Sequence, residues 1–458
     1  MTKSSAPLEA EKQVRSPSIS PVLPGVPRRT SVAGLVMGGK INLGFELLLF
    51  AALLITPILI FGDSRYWLPI FTRVMALAIF ALATDLVWGY TGLLSLGQGL
   101  YFGLGAYAVA YSLKMKQAAV DADLPPGSPA MPDFMLWCRL ERVPDWIVPL
   151  TNIWTALAVA ILAPTLVAML FGLYTFRPRL RTRESILSTL AVFLIALAPV
   201  AYMWREPLMA HPMAALCIGL LLPGMLLGGL MISGARIGGV YFSLVTQALL
   251  LAIFTLVDNQ QPYTGGRVGM PGLAQLELFG HTFRDIKQIY WLVTGSLAVC
   301  FLLCLWLVHS KFGKVLTAIR DSETRTLALG YNTAMYKTFV FAMAGAMSGF
   351  AGALYTTTQR TVGPTEVLDI GFSIEIVILV AVGGRGTLIG AVLGTLLVLM
   401  GKTYVNNEYK QGWPLILGGL FVVVVLFLPE GIIGWLRQTP LRVQKLLFRN
   451  QDLAVSSR

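Results

Sequence analysis

Charge is scarce in this chain. Only 13% of its 458 residues are Asp, Glu, Lys or Arg, and 56% are hydrophobic, where an ordinary soluble domain carries about 25% charged residues. Disordered chains and almost any soluble enzyme are excluded. Cysteine is nearly absent as well. Cys138, Cys217, Cys300 and Cys304 are too few for a disulfide scaffold, and Cys300 and Cys304 read as small core residues on one helix face. His211, His281 and His309 are scattered and make no metal-ligand pattern. The patterns HExxH, GxSxG and CxxC do not occur. Gly401-Lys402-Thr403 fails as a phosphate loop, because Leu396 stands where GxxxxGK[ST] requires Gly. Any energy this protein uses must come from an ion gradient or from another subunit.

What is abundant is uncharged apolar sequence. Eleven runs stand out, at 43–62, 67–88, 93–113, 150–176, 185–203, 213–235, 239–257, 289–308, 338–358, 376–400 and 413–436. Most approach the roughly 20 residues a helix needs to cross a bilayer. They predict an all-α polytopic membrane protein with about 10–12 transmembrane helices. Residues 1–40 hold five Pro, six Ser and six Lys or Arg with no signal-peptide pattern, and read as a flexible polar tail. The membrane-spanning part is then 41–436, followed by a basic tail over 437–458.

The net charge of +12 bears on topology, and nucleic acid is a poor second reading. Placing both tails, the 177–184 loop, Arg236 and segment 309–337 on the inside puts 21 basic residues there and 12 outside. Eleven simple crossings cannot put two basic tails on one side. Gly383-Gly384-Arg385-Gly386 resolves the parity by breaking run 376–400 near its middle. The expectation is two short helices in a broken or re-entrant pair, with the break constricting a translocation path, because irregular backbone at membrane depth must be covered by protein or line a cavity. Glycines four apart, Gly99 with Gly103, Gly345 with Gly349, and Gly386, Gly390 and Gly394, read as close helix contacts.

Polar groups within the runs are few. Arg73 and Asp85 lie near opposite ends of run 67–88; Arg73 reads as snorkelling and Asp85 as a structural cap or pair. Glu46, Asp85 and Glu430 are the carboxylates counted inside runs, all near ends, which weakens an ion-coupled carrier. Ser95 and Gln98 are three apart and would share a helix face, as the neighbours Thr246 and Gln247 make a second hydroxyl–amide pair. Such groups suit a small neutral solute, offering donors and acceptors with no charge to desolvate. Between Val308 and Thr338, the residues Val315, Leu316, Ile319, Leu327 and Leu329 form a short amphipathic stretch. Asp321 or Ser322 can start a helix there and Gly330 can end it, a form suited to docking onto a partner.

Several motifs resemble a known family. Gly89-Tyr-Thr-Gly-Leu-Leu-Ser-Leu-Gly-Gln-Gly99 with Gly105-Ala-Tyr107 is similar to the permeases of branched-chain amino-acid ABC importers. So are Ala318-Ile-Arg-Asp321, Ala328-Leu-Gly330 and Ala344-Gly-Ala-Met-Ser-Gly-Phe-Ala-Gly-Ala-Leu-Tyr355. Within that family, Gly238-Gly-Val-Tyr-Phe-Ser-Leu-Val-Thr-Gln-Ala248, Phe372-Ser-Ile-Glu375 and the Val382–Gly394 stretch resemble the second, C-type subunit of urea importers. Three departures stand out: an added segment over 177–235 with two apolar runs, a long 114–149 loop, and Gln98 where the family often has His.

The resemblance implies a multi-pass inner-membrane subunit of a bacterial cell, with both termini cytoplasmic, importing urea or a close small amide. Its partners would be a homologous second permease subunit, two cytoplasmic ATPases that bind ATP-Mg, and a periplasmic solute-binding protein; this chain itself needs no cofactor. The path would be lined by Ser95, Gln98, Thr246 and Gln247 and narrowed at Gly383, Gly384, Arg385 and Gly386. Arg320, Asp321, Glu323 and Gly330 would couple the chain to an ATPase. A branched-chain amino-acid permease is the alternative, and a stand-alone carrier or channel is a rival of another class. An intramembrane enzyme would need Glu366, Asp369 and Glu375, read here as outer-loop residues, to converge.

Overall fold

A computed structural model describes residues 39–125, 130–140, 143–144, 147–176, 239–408, 412–427 and 431–433. Both tails and the added segment 177–235 fall outside them, apart from Gly39 and Lys40. The chain divides into two compact units, 1–52 and 53–458. Of the first, only the opening turns of α1 (Gly39–Phe61) are described. The second unit carries the long helices α2 (Trp67–Thr91), α3 (Gln98–Asp121), α4 (Ile153–Phe176), α5 (Val240–Asn259) and α6 (Ile286–His309). Two shorter helices follow, α7 (Lys311–Asp321) and α8 (Glu323–Ala328), and then α9 (Thr333–Gln359), α10 (Ile370–Gly383), α11 (Leu388–Glu408) and α12 (Trp413–Phe427).

Among the described residues, six helices are long and apolar enough to cross a membrane, and the all-α polytopic expectation holds. They divide by burial. The membrane-length window of α2 is 89% buried and that of α9 78%, against 33% for α4 and 39% for both α5 and α6. A helix apolar all round belongs in the centre of a bundle or in lipid; here α2 and α9 take the centre, and α4, α5 and α6 keep apolar faces turned outward. Small residues permit the central contacts. A Cβ on Gly105 would strike the backbone of Gly349, one on Gly352 the carbonyl of Phe102, and one on Gly345 the Ala168 methyl. Cys304 is buried with its Sγ 3.7 Å from Met347 Sδ, the small core residue its position predicts.

Two minimal antiparallel strand pairs accompany the bundle: β1 (Met270–Pro271) with β4 (Thr361–Val362), and β2 (Glu277–Leu278) with β3 (His281–Thr282). β4 follows α9 at the end opposite α7. Lys114, near the end of α3, donates at 2.9 Å both to Asp133 and to the Pro271 carbonyl, and Lys116 pairs with Glu277, so α3 anchors these elements.

The predicted break is present, with different bounds. α10 has 14 residues and α11 has 21, so α10 is about 21 Å long and too short to cross, whereas α11 is long enough. The pair is therefore one short helix and one full one, not two short ones, and it starts at Ile370 and ends at Glu408 rather than spanning 376–400. The turn between them uses Gly384 at φ 129° and Gly386 at φ 77°, a region that L side chains rarely adopt. Close packing of the two arms is set by Gly394, whose Cβ would meet the Leu379 carbonyl, and by Gly390 against Gly383.

Candidate functional site

α2 ends where Gly92 adopts φ 79°, and residues 92–97 run without helix until α3 begins at Gln98. Ser95 and Gln98 therefore do not share a helix face as their spacing suggested: Ser95 lies in the connecting segment. Two glycines account for the difference. Gly92 takes the left-handed conformation that closes a helix, and Gly97 lies so close to the Thr246 carbonyl that any Cβ would collide with it. The segment is held by the Leu96 N–H, which donates to Thr246 Oγ1 at 3.2 Å. The Gly99 N–H donates to Ser373 Oγ at 3.0 Å.

Ser95, Gln98, Thr246 and Ser373 are each at most 3% exposed, and Gln247 is half-buried. Among the described residues, Ser95 Oγ and both polar atoms of Gln98 have no hydrogen-bond partner. The depth of this cluster follows from aromatic contacts. Phe102 lies 4.8 Å from Phe80 and 5.1 Å from Phe372, centroid to centroid, and Phe372 lies 5.7 Å from Phe80. Phe80 is eleven residues before the end of α2, or about 16 Å along the helix. The N-termini of α3 and α10 therefore both lie level with the middle of α2. Each presents the positive end of a helix dipole. Asp369 caps α10 by accepting from the Gly371 N–H at 2.9 Å, while α3 has no side-chain cap.

A second cluster gathers at the far end of α2. Asp85, fully buried, accepts from the Gly386 N–H at 2.7 Å, which is the structural cap its position predicts. Arg385 donates from Nε to the Trp88 carbonyl at 3.2 Å, with its guanidinium 5.0 Å from the Trp88 ring centroid. Arg320, on α7, donates from Nη1 to the Gly89 carbonyl at 2.7 Å. The turn Gly383–Gly386 and Arg320 are thus brought together on the last turn of α2, whereas Ser95, Gln98 and Thr246 form the separate cluster above.

The other coupling candidates sit around α7 and α8. Ser310 caps α7 by accepting from the Phe312 N–H, and Leu316 and Ile319 bury its apolar side. Asp321 Oδ1 lies 3.4 Å from Arg320 Nε. Ser322 occupies the N-cap position of α8, and Gly330 turns the chain at φ 88°. Glu323 accepts from Lys337 Nζ at 2.6 Å and from Thr333 Oγ1 at 3.2 Å, fixing α8 to α9. Leu327, Leu329, Tyr331 and Met335 stay exposed around this turn, Leu329 at 75%.

One charged pair escaped the sequence reading. Glu375 accepts twice from Lys402 Nζ, at 2.7 and 2.8 Å, between α10 and α11, and Lys402 lies 5.8 Å from the Trp413 ring centroid. Glu375 is not an outer-loop residue, since it lies in the second turn of α10. The signal that could have found it is a Lys ending one apolar run and a Glu opening it. Glu366 is exposed and Asp369 caps α10, so the three carboxylates do not converge on a buried site. Among the described residues no group of His, Cys, Asp and Glu could hold a metal ion.

Comparison with known proteins gives a family. The chain matches the family described as "branched-chain amino acid transport system / permease component" over residues 66–211 and 187–428. It is similar to the high-affinity branched-chain amino acid transport system permease protein LivM of Salmonella typhimurium, with 25% identity over 222 residues, 43% of this chain and 51% of the relative. It is also similar to the ribose import permease protein RbsC of Haemophilus influenzae, 24% identical over 198 residues, 42% of this chain and 59% of the relative. The autoinducer 2 import system permease protein LsrC of Salmonella choleraesuis is 29% identical over 195 residues, 40% of this chain and 53% of the relative. The chain thus spans between half and three fifths of the length of these relatives. No solved structure matches it.

Proposed function

The chain belongs to the branched-chain amino acid transport permease family, and we propose that it is the transmembrane subunit of an ATP-driven importer in a bacterial inner membrane, with both termini cytoplasmic. The match over 66–428 carries this reading. The proposed partners are a homologous second permease subunit, two cytoplasmic ATPases and a periplasmic solute-binding protein. The exposed apolar turn of Leu327, Leu329, Tyr331 and Met335 supports an ATPase-docking role for α7 and α8. Arg320, Asp321, Glu323 and Gly330 position that turn on the bundle.

The proposed substrate is a branched-chain amino acid, in keeping with the family description and with relatives such as LivM. This replaces urea as the first choice. Urea or a small amide stands as the second reading, favoured by one observation: the buried groups at Ser95, Gln98 and Thr246 are uncharged, and Ser95 and Gln98 offer polar atoms without partners among the described residues. In either case the proposed path is lined by Ser95, Gln98, Thr246 and Gln247, beside two helix N-termini of the kind that receive polar solutes at the mid-plane of transporters.

Uptake of labelled leucine and labelled urea, in cells with and without this chain and before and after ATP depletion, tests the reading. Loss of leucine uptake on deletion, with dependence on ATP, supports it. Loss of urea uptake alone exchanges the substrates, and uptake that survives ATP depletion removes the importer reading.

A further inference from the structure

We infer that Asp85 and Arg385 are positioning residues of a latch that ties the α10–α11 turn to the end of α2, so that displacement of α7 reaches the mid-bundle polar cluster from two sides at once. The inference rests on the importer reading above. Three observations carry it.

The first is the closeness of the backbones. A Cβ on Gly89 would lie 2.6 Å from Gly386 N and 2.7 Å from Gly386 Cα, a contact that no side chain could accommodate without displacing the turn. Secondly, the chemistry of the joint is matched. The last carbonyls of a helix are short of intrahelical donors; here that of Gly89 accepts from Arg320, and that of Trp88, which also takes the Gly92 N–H closing α2, accepts from Arg385, two cations from separate elements at the negative end of the α2 dipole. The Gly386 N–H in turn is taken by the buried Asp85 carboxylate. Turn, α2 and α7 therefore share one hydrogen-bonded joint, and Arg320 Nη1 lies only 3.3 Å from where a Gly386 Cβ would be.

Thirdly, both ways out of the joint lead to the same place. Arg320 Cγ packs under Gly92, 3.2 Å from its ideal Cβ position, and Gly92 opens the segment that carries Ser95 to Gln98. From the turn, α10 runs back from Gly383 to Ser373, ten residues or about 15 Å, and Ser373 accepts from Gly99 at the start of α3. The proposed path residues are thus bracketed by two arms fixed to one joint. The Gly383–Gly386 turn is assigned by this geometry to transmission of movement and not to the narrowing of the path.

The test uses the complex purified with its ATPase and binding-protein partners, reconstituted in vesicles, with labelled leucine and labelled urea as probes and ATP hydrolysis followed in the same vesicles. Gly89→Ala suits α2, because Ala is the better helix former, so its effect comes through what the new Cβ displaces, the Asp85 carboxylate and the Gly386 turn that it holds. The expected result is ATP hydrolysis that persists while solute taken up per ATP falls about tenfold, a coupling loss of the usual size between sites. Asp85→Asn keeps an acceptor for the Gly386 N–H and should retain the wild-type ratio, and Asp85→Ala should lower it as Gly89→Ala does. If Gly89→Ala fails to accumulate, the Asp85 pair decides. A wild-type ratio in Gly89→Ala and Asp85→Ala overturns the latch, as does a parallel loss of hydrolysis and uptake, which marks a merely structural joint. A wild-type complex that takes up neither probe at the expense of ATP overturns the importer reading itself, and the two failures are told apart.

Discussion

Two breaks in helical structure adjoin α2, and they treat their polar groups in opposite ways. At the segment before α3, Ser95 and Gln98 bury three polar side-chain atoms without a partner among the described residues. At the α10–α11 turn, three backbone groups are taken by charged side chains: Gly386 by Asp85, Trp88 by Arg385, Gly89 by Arg320. Asp85 Oδ2 is the atom left over there. An unmet buried polar atom costs about 1–3 kcal/mol, so the first break is not organised for stability, whereas the second has the form of a joint. On the proposed reading, the difference separates a place where solute passes from a place where something is held.

The strongest way to break this comparison is to remove a cation from the joint. Arg320→Ala leaves the Gly89 carbonyl and the Gly92 contact unsupported, and ATP-dependent uptake should fall about a hundredfold, near the upper range of allosteric coupling. Unchanged uptake by reconstituted vesicles would mean that α7 does not act through α2. The Glu375–Lys402 pair then asks whether pairing or charge distinguishes the two breaks. Glu375→Gln strands a lysine whose side chain is 26% exposed, so its cost should lie near or below the roughly 3 kcal/mol lower bound for breaking a buried pair. The double variant Glu375→Gln, Lys402→Met should recover most of the thermal midpoint lost by the single one. A double variant no more stable than the single would show that the pair is not what the two residues contribute.

A smaller and opposite effect is expected at the first break. Gln98→Leu removes two unpartnered polar atoms and should raise the thermal midpoint of the purified protein, in line with about 1–2 kcal/mol, while uptake declines. Asp85→Leu removes an acceptor in use and should lower the midpoint. Destabilisation by both would erase the distinction.

The sequence made some of this legible and hid the rest for physical reasons. The long helices were readable because a bilayer span demands about 20 apolar residues in a row. The α10–α11 turn was readable because Gly383, Gly384 and Gly386 crowd into four positions. The unwound segment before α3 was not, since Leu93, Leu94 and Leu96 keep the run apolar; Gly92 and Gly97 at its edges were the available signal. Arg320 was expected to face a partner, and it also reaches Gly89, 231 positions away in sequence. Glu375 and Lys402 are 27 residues apart and meet because the hairpin folds back on itself, which no local pattern encodes.

The smallest predicted effect concerns a pair with solvent access, at the opposite end of α3 from the Ser95 and Gln98 cluster. Burial alone would raise the pKa of Asp133, but the hydrogen bond from Lys114, a backbone hydrogen bond at Asp133 itself and the charge of Lys114 together outweigh it and hold the carboxyl below its ordinary 3.8. A carboxylate with a lowered folded-state pKa contributes its stability in full above 3.8 and loses it as pH falls through the folded value. Asp133 is about half exposed, so the contribution is modest. Hydrogen exchange over residues 131–137, corrected for intrinsic rates, should therefore be flat from pH 7 to about 5 and quicken only below the unperturbed carboxylate range. Lys114→Met should weaken the acid response, because the side-chain partner that lowers the pKa is gone and only the backbone hydrogen bond remains. Quickening that begins well above pH 5, or an acid response undiminished in Lys114→Met, would show that this segment is held by something other than its one ion pair. It would then differ from the α2 joint, where the charged side chains of Asp85, Arg320 and Arg385 take the backbone groups.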